Sequence, residues 1–262
     1  MYNKWRDEGL GAGPLIIAHR GASAAAPQNT LAAFEKAIAL GADGVELDVH
    51  LSSDGIPVVI HDFNVDATTN GHGAVTEMTL DELKLLDAGS SFSPEFASER
   101  IPTLAEVLTC LRPHDALLNV EVKSTSLRNT GLEDAIITLI REHRVAECVI
   151  FSSFNPVTLW RLKRLAPDVP AGLLYSMDLS LPLRQAWFAP LFKHEARHPH
   201  HSMVNAAYME WAHRRGYMVN TWTVDHPVEM QRLITLGVDS IITNVPDVLR
   251  HLLEPAVRRT AP

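Results

Sequence analysis

Along the chain, short runs of β-branched and aliphatic residues alternate with stretches whose apolar positions recur every three to four residues. The first pattern predicts buried strands and the second amphipathic helices. Strands are expected at 15–18, 45–51, 117–122, 148–152, 171–175, 217–224 and 240–243, with a poorer one just before His200. Leu31, Phe34, Ala37 and Ile38 share one helical face, entered through the capping pair Asn29-Thr30 and ended by Gly41. Further helices are expected from near Thr103, Leu132, Pro156, Asn205, Pro227 and Pro246. This alternation is the sequence form of a parallel α/β architecture. With eight strands in 262 residues, it predicts a (β/α)8 TIM barrel spanning 1–262 as one domain. A doubly wound open sheet is the alternative, but no GxGxxG follows the first strand, which weakens a dinucleotide-binding version. Residues 63–100 interrupt the rhythm with polar, Gly- and Ser-containing sequence, and read as a small insertion after the second strand.

Chemistry enters where the strand pattern is violated. In "GVELDVHLSSDGIPVVIHD", Val45, Leu47, Val49 and Leu51 occupy one strand face, while Glu46, Asp48 and His50 occupy the other. In a barrel the acidic face points inward, near the C-terminal mouth where such folds keep their chemistry. Asp54-Gly55 signals a two-residue hairpin whose register pairs Asp48 with His61. "LLNVEVK" repeats the design, with Asn119, Glu121 and Lys123 alternating with Val120 and Val122. Three acids in one low-dielectric mouth repel one another and are driven toward protonation, which a divalent cation relieves. Oxygen-only ligation by Glu46, Asp48 and Glu121 suits Mg²⁺ or Ca²⁺ better than zinc. The alternative is ion pairing of Glu46 or Asp48 with Lys123 or Arg20. The first strand ends in "AHRGAS", which places His19 and Arg20 at the same mouth, with Gly21 allowing a tight exit. Arg20 offers a planar fork and Lys123 a point charge to a phosphate, and His19 and His61 can serve as acid and base on opposite sides of phosphorus.

Composition narrows the partners. The chain is 46% hydrophobic and carries 23 Lys and Arg against 31 Asp and Glu, a net charge of −8, so a broad basic surface for nucleic acid is not indicated. No run approaches the length of a bilayer span and the N-terminus lacks a secretory apolar core, which leads us to expect a cytoplasmic protein without stable membrane insertion. Cys110 and Cys148 stand far apart and read as buried, inert thiols. In "KHEARHPHHS", His194, His198, His200 and His201 show no regular ligand spacing, and a solvated loop accounts for them.

The stretch from "AHRGASAAAPQNTLAAFEKAIALGADGVELDVHLSSDGIPVVIHD" through "TTNGHGAV", "ERIPTLAEVL", "NVEVK", "NTWTVD" and "GVDSIITNVPD" closely resembles the glycerophosphodiester phosphodiesterases, in order and over nearly the whole chain. The resemblance implies a barrel of the phospholipase-C-like phosphodiesterase type, a divalent metal, and cleavage of deacylated phospholipids, small-molecule glycerophosphodiesters, to sn-glycerol 3-phosphate and an alcohol. It assigns metal binding to Glu46, Asp48 and Glu121, acid and base catalysis to His19 and His61, phosphate contacts to Arg20 and Lys123, and a place on the substrate wall to Trp222, which pattern alone leaves in the core. One departure stands out. The family usually reads "PENT" where this chain reads "PQNT", so Gln28 removes a negative charge near the inferred cation.

Overall fold

The computed structural model describes residues 3–7, 13–184, 186–187, 190 and 192–254, so parts of the N-terminal segment and of the expected 1–262 domain lie outside the described residues. A short helix, α1 (Lys4–Asp7), precedes the strand β1 (Leu15–His19), and α2 (Leu31–Ala39) follows it. The chain continues through β2 (Gly44–Leu51), β3 (Pro57–Val59), α3 (Leu80–Leu85), α4 (Leu104–Leu111), β4 (Leu117–Val122), α5 (Leu132–His143), β5 (Val149–Ser153) and α6 (Pro156–Leu165). It ends with β6 (Ala171–Tyr175), α7 (Leu181–Arg184), β7 (Ala196–Pro199), α8 (Ala206–Arg214), β8 (Met218–Thr221), α9 (Pro227–Leu236), β9 (Ser240–Thr243) and α10 (Pro246–Leu253). All strands except β3 pair in parallel, in the order β1-β9-β8-β7-β6-β5-β4-β2, and β1 pairs with β2 to close the barrel. The open-sheet alternative is thereby excluded, and the barrel expectation holds. Among the described residues no helix is long and apolar enough to cross a membrane.

Local chemistry explains the helix starts. Thr30 accepts from the Ala33 amide at the head of α2, and Leu40 with the left-handed Gly41 ends that helix. Thr103 and Glu106 satisfy one another's backbone donors as a capping box on α4. The helices cover the outer strand face, so Val45, Leu47 and Val49 pack with Phe34, Val107 and Leu108. Inside the barrel, Ile17, Leu117, Ile150, Ala196 and Ile242 join Trp5 of α1 in an apolar plug at the N-terminal end of the strands. The Trp5 indole donates to the Cys148 carbonyl at 2.8 Å and anchors that plug. Polar interior side chains are therefore displaced upward, toward the C-terminal mouth.

Residues 63–100 hold 3-10 turns and α3, and Val65, Val75, Leu83 and Ala88 pack with Val58, Ile60 and Ile101 as a small satellite core on β3. Three expectations need correction. The hairpin after β2 pairs Val49 with Val59 and Leu51 with Pro57, one residue away from the expected register. The turn contains three residues, Ser53-Asp54-Gly55, because Ser52 donates to the Ile56 carbonyl and Gly55, at φ +84°, takes the left-handed place of a bulged turn. Asp48 therefore faces Ile60, which donates to its carbonyl, and His61 lies one step further along. The histidine-rich run is no solvated loop. It supplies β7, with His198 fully buried inside the barrel and His194 buried against Tyr217. The poor strand expected before His200 is this one, and its signal is weak because Arg197, His198 and Pro199 are not β-branched. Cys148 is buried, but Cys110 is only partly so, with its thiol beside Glu35 and pushed up to about 11 by burial and that carboxylate.

Candidate active site

Strand alternation delivers the inward residues to one cavity of about 170 Å³ at the barrel mouth. His19 and Arg20 from the end of β1, Glu46 from β2, Asn119, Glu121 and Lys123 from β4, His61 beyond β3, and Phe154 and Trp222 beyond β5 and β8 all line it. Asp48 sits at the same site but is only 1% exposed, under Lys123. The metal, acid-base, phosphate and substrate-wall candidates taken from the sequence are thus brought to one place. Arg20 and Gly21 turn the chain there with φ of +56° and +82°. A Cβ on Gly21 would come within 2.7 Å of the Ala33 carbonyl oxygen, so the exit from β1 requires glycine.

Both ion pairing and acid clustering are present. Lys123 Nζ donates to Asp48 Oδ1 at 2.9 Å and to Glu121 Oε1 at 2.6 Å, and Arg20 Nε lies 3.5 Å from Asp48 Oδ2. Arg20 also donates to Gln28 Oε1 at 2.6 Å, while its amide donates to Glu46 Oε2 at 3.0 Å. Burial opposes ionisation of Asp48, but Lys123 and Arg20 outweigh it, and its carboxyl is held well below the usual range. Among the described residues neither cationic side chain pairs with Glu46, and the fields of Arg20 and Lys123 relieve it less than burial penalises it. Burial, then Asp48 and Glu121, push its carboxyl well above the ordinary value. Glu121 rises to about 7, driven first by burial and only partly relieved by Lys123. One carboxylate oxygen of each of Glu46, Asp48 and Glu121 lies within 4.8 Å of the others, a set that can hold a metal ion. With all three acids ionised, two cations would leave one charge uncompensated, and an all-oxygen set fits a hard divalent cation.

The histidines are held in defined tautomers. His19 Nδ1 lies 2.7 Å from Asn244 Oδ1, whose amide nitrogen in turn donates to Asp225 at 2.6 Å, so the acceptor end of Asn244 faces the ring. His61 Nδ1 lies 2.7 Å from Asp62 Oδ1. Both rings therefore donate from Nδ1 and leave Nε2 as a proton acceptor. Burial and Arg20 lower His19 to about 4, and burial also lowers His61, so both imidazoles are neutral at neutral pH. His50, on the same strand face as the acids, binds the His61 carbonyl through Nε2 at 3.1 Å and fixes the segment carrying the ring. Trp222 donates to the His198 carbonyl at 2.8 Å and meets Phe154 edge-on at 5.5 Å between centroids, which sets the opposite wall.

A buried acid trio, two neutral imidazoles and two cations in one barrel mouth are the equipment of phosphoryl chemistry. The glycerophosphoryl diester phosphodiesterase family matches residues 19–248. The chain belongs to that family. The glycerophosphodiester phosphodiesterase of Caldanaerobacter subterraneus subsp. tengcongensis is 45% identical over 239 residues, covering 91% of this chain and 97% of the relative. The structure of an Oleispira antarctica phosphodiesterase, in complex with the product sn-glycerol-3-phosphate, superposes with a TM-score of 0.85 at 32% identity, covering 93% of this chain and 98% of that one. A crystal structure from Silicibacter pomeroyi gives a TM-score of 0.83 at 28% identity, covering 95% of this chain and 97% of that one. This member is accordingly an enzyme with glycerophosphodiester phosphodiesterase activity.

Sequence reasoning missed the residues that orient this phosphodiesterase site. Asn29 donates to Asp48 Oδ2 at 2.9 Å, although its sequence position read as a helix cap. Asn244 and Asp225 act on His19 from beyond β9 and β8. The signal was present in "NTWTVD" and "IITNVPD", polar residues directly after buried strands, but no local pattern joins them to His19. Ser152 and Ser153, at the end of β5, are fully buried, with Ser153 donating to the Val122 carbonyl at 2.8 Å.

Proposed function

We propose that the enzyme uses a divalent cation, Mg²⁺ or Ca²⁺, to hydrolyse glycerophosphodiesters to sn-glycerol 3-phosphate and an alcohol by acid-base catalysis between His19 and His61. The supporting observation is that both neutral imidazoles line the same cavity as Glu46, Glu121, Arg20 and Lys123. Glu46, Asp48 and Glu121 would hold the cation, which when bound supplies positive charge to a phosphoryl oxygen. Arg20 and Lys123 hold and neutralise the phosphate, and Trp222 packs against the substrate. One imidazole takes the proton of the glycerol hydroxyl beside the ester carbon as that oxygen attacks phosphorus. The other, protonated in the field of the phosphodiester, hands its proton to the departing alcohol. A cyclic phosphate results, and the histidines exchange roles as water opens it. The product bound to the Oleispira antarctica relative is in keeping with this outcome. The whole chain acts as one catalytic domain with 63–100 inserted, in cytoplasmic glycerophospholipid catabolism.

Release of glycerol phosphate from a glycerophosphodiester tests the reaction, and calorimetric Mg²⁺ and Ca²⁺ titration tests the ligands separately from turnover. Glu46→Gln, Asp48→Asn and Glu121→Gln should each weaken cation binding. Unchanged affinity in all three would overturn the ligand assignment, and turnover undiminished by exhaustive chelation would overturn the cation requirement.

A further inference from the structure

A second cavity, of about 510 Å³, lies beside the catalytic one, and Phe154 lines both. Its other walls include Leu127, Pro156, Val157 and Leu183, and among the described residues no charged side chain lines it. Leu127 leaves 74% of its surface in water, an apolar residue spent on solvent beside a catalytic mouth. The groove is nevertheless held in shape. Arg161 donates to the Leu127 and Arg128 carbonyls, and Asn155 Nδ2 donates to the Ser124 and Ser126 carbonyls at 3.1 and 3.2 Å. The loop's backbone is thereby satisfied while its apolar side chain stays free to take a ligand.

Resting on the phosphodiesterase reading above, we infer that this groove seats an unbranched apolar substituent on the leaving alcohol of the diester. Around the barrel the order is β2, β4, β5, so Phe154 follows the acids and borders the groove; in this inference the hydroxyl-bearing glycerol lies over Glu46, Asp48 and Glu121 and the alcohol leaves on the Phe154 side. The ring of Phe154, fixed edge-on against Trp222, forms the partition over which such a chain passes. The enzyme thus accepts alkyl diesters of glycerol phosphate, and not only those with small polar alcohols.

The test is a homologous series of glycerol 3-phosphate alkyl esters, ethyl to hexyl, compared with the ethanolamine diester, with kcat/KM and calorimetric binding measured on the same enzyme. Both should rise about two- to fourfold per added methylene, the range expected for partial to full burial of a CH₂. Leu127→Asp should flatten the alkyl-to-ethanolamine ratio, and Leu127→Met should keep it. A flat series in the wild type, a slope that survives Leu127→Asp, or a larger gain from a chain on the glycerol, as in a lysophospholipid, would each overturn the groove assignment. Should no diester turn over, the reaction itself fails, while the chain-length dependence of binding still decides the groove.

Discussion

His198 should make the barrel acid-sensitive in a way that can be isolated. The ring is fully buried, Asn220 Nδ2 lies 3.0 Å from Nε2, and Nδ1 has no partner. Burial alone lowers its pKa from 6.5 to about 3. The unfolded chain thus binds a proton that the folded one refuses, and stability falls as pH drops below the unfolded value, until the folded ring itself titrates. Near neutrality the effect is negligible. At about pH 5 the unfolded ring gains roughly 1.5 pH units of protonation, or about 2 kcal/mol against folding. His198→Leu removes this linkage, and His198→Gln serves if the Leu variant folds poorly. Urea unfolding at about pH 7.5 and about pH 5, in constant salt, gives four free energies for each pair of proteins. The wild type exceeds the variant by some amount near neutrality, and that excess should shrink by about 2 kcal/mol in acid. Contributions from His19 and His194, also lowered to about 4, cancel in the difference. An excess that does not change with pH would refute the assignment of a buried neutral ring.

Gly172→Ala tests the same place by volume, since a Cβ there would come 2.2 Å from His198 Nε2. The displaced ring should cost about 1–3 kcal/mol, read as a lowered Tm. His61→Gln should lower kcat by about 10²–10⁴ with little change in Tm, and a variant retaining wild-type kcat would remove His61 from proton transfer. Gln28→Glu should convert the 2.6 Å bond from Arg20 into an ion pair that draws the guanidinium from the phosphate. We expect KM to rise more than kcat falls, and unchanged KM would show that Arg20 does not hold substrate.

Much of the site was legible because a strand's period of two assigns faces without tertiary knowledge. Glu46, Asp48, Glu121 and Lys123 declared themselves as polar residues on runs otherwise built from Val and Leu, and they do share one cavity or lie just beneath it. The same rule gave only a poor strand before His200, because Arg197 and His198 of β7 look like solvated sequence but are stabilised by Tyr217 stacking and by Asn220. The hairpin register failed by one residue because the place of Gly55 in the turn depends on which backbone groups bond, and Asp54-Gly55 is compatible with both turn lengths.

What the chain alone determined was the alternation of elements, the inward faces, and hence the residue types gathered at the mouth, since these follow from local periodicity and composition. Tertiary structure decided the protonation states and orientations. Glu46 rises and Asp48 falls although they sit two residues apart on one strand, because of the two only Asp48 pairs with the side chains of Lys123 and Arg20 and accepts from Asn29. His19 is a proton acceptor at Nε2 because Asn244, 225 residues away in sequence, occupies Nδ1. Charge interactions fall with distance in space and with burial, and neither quantity is carried by spacing along the sequence.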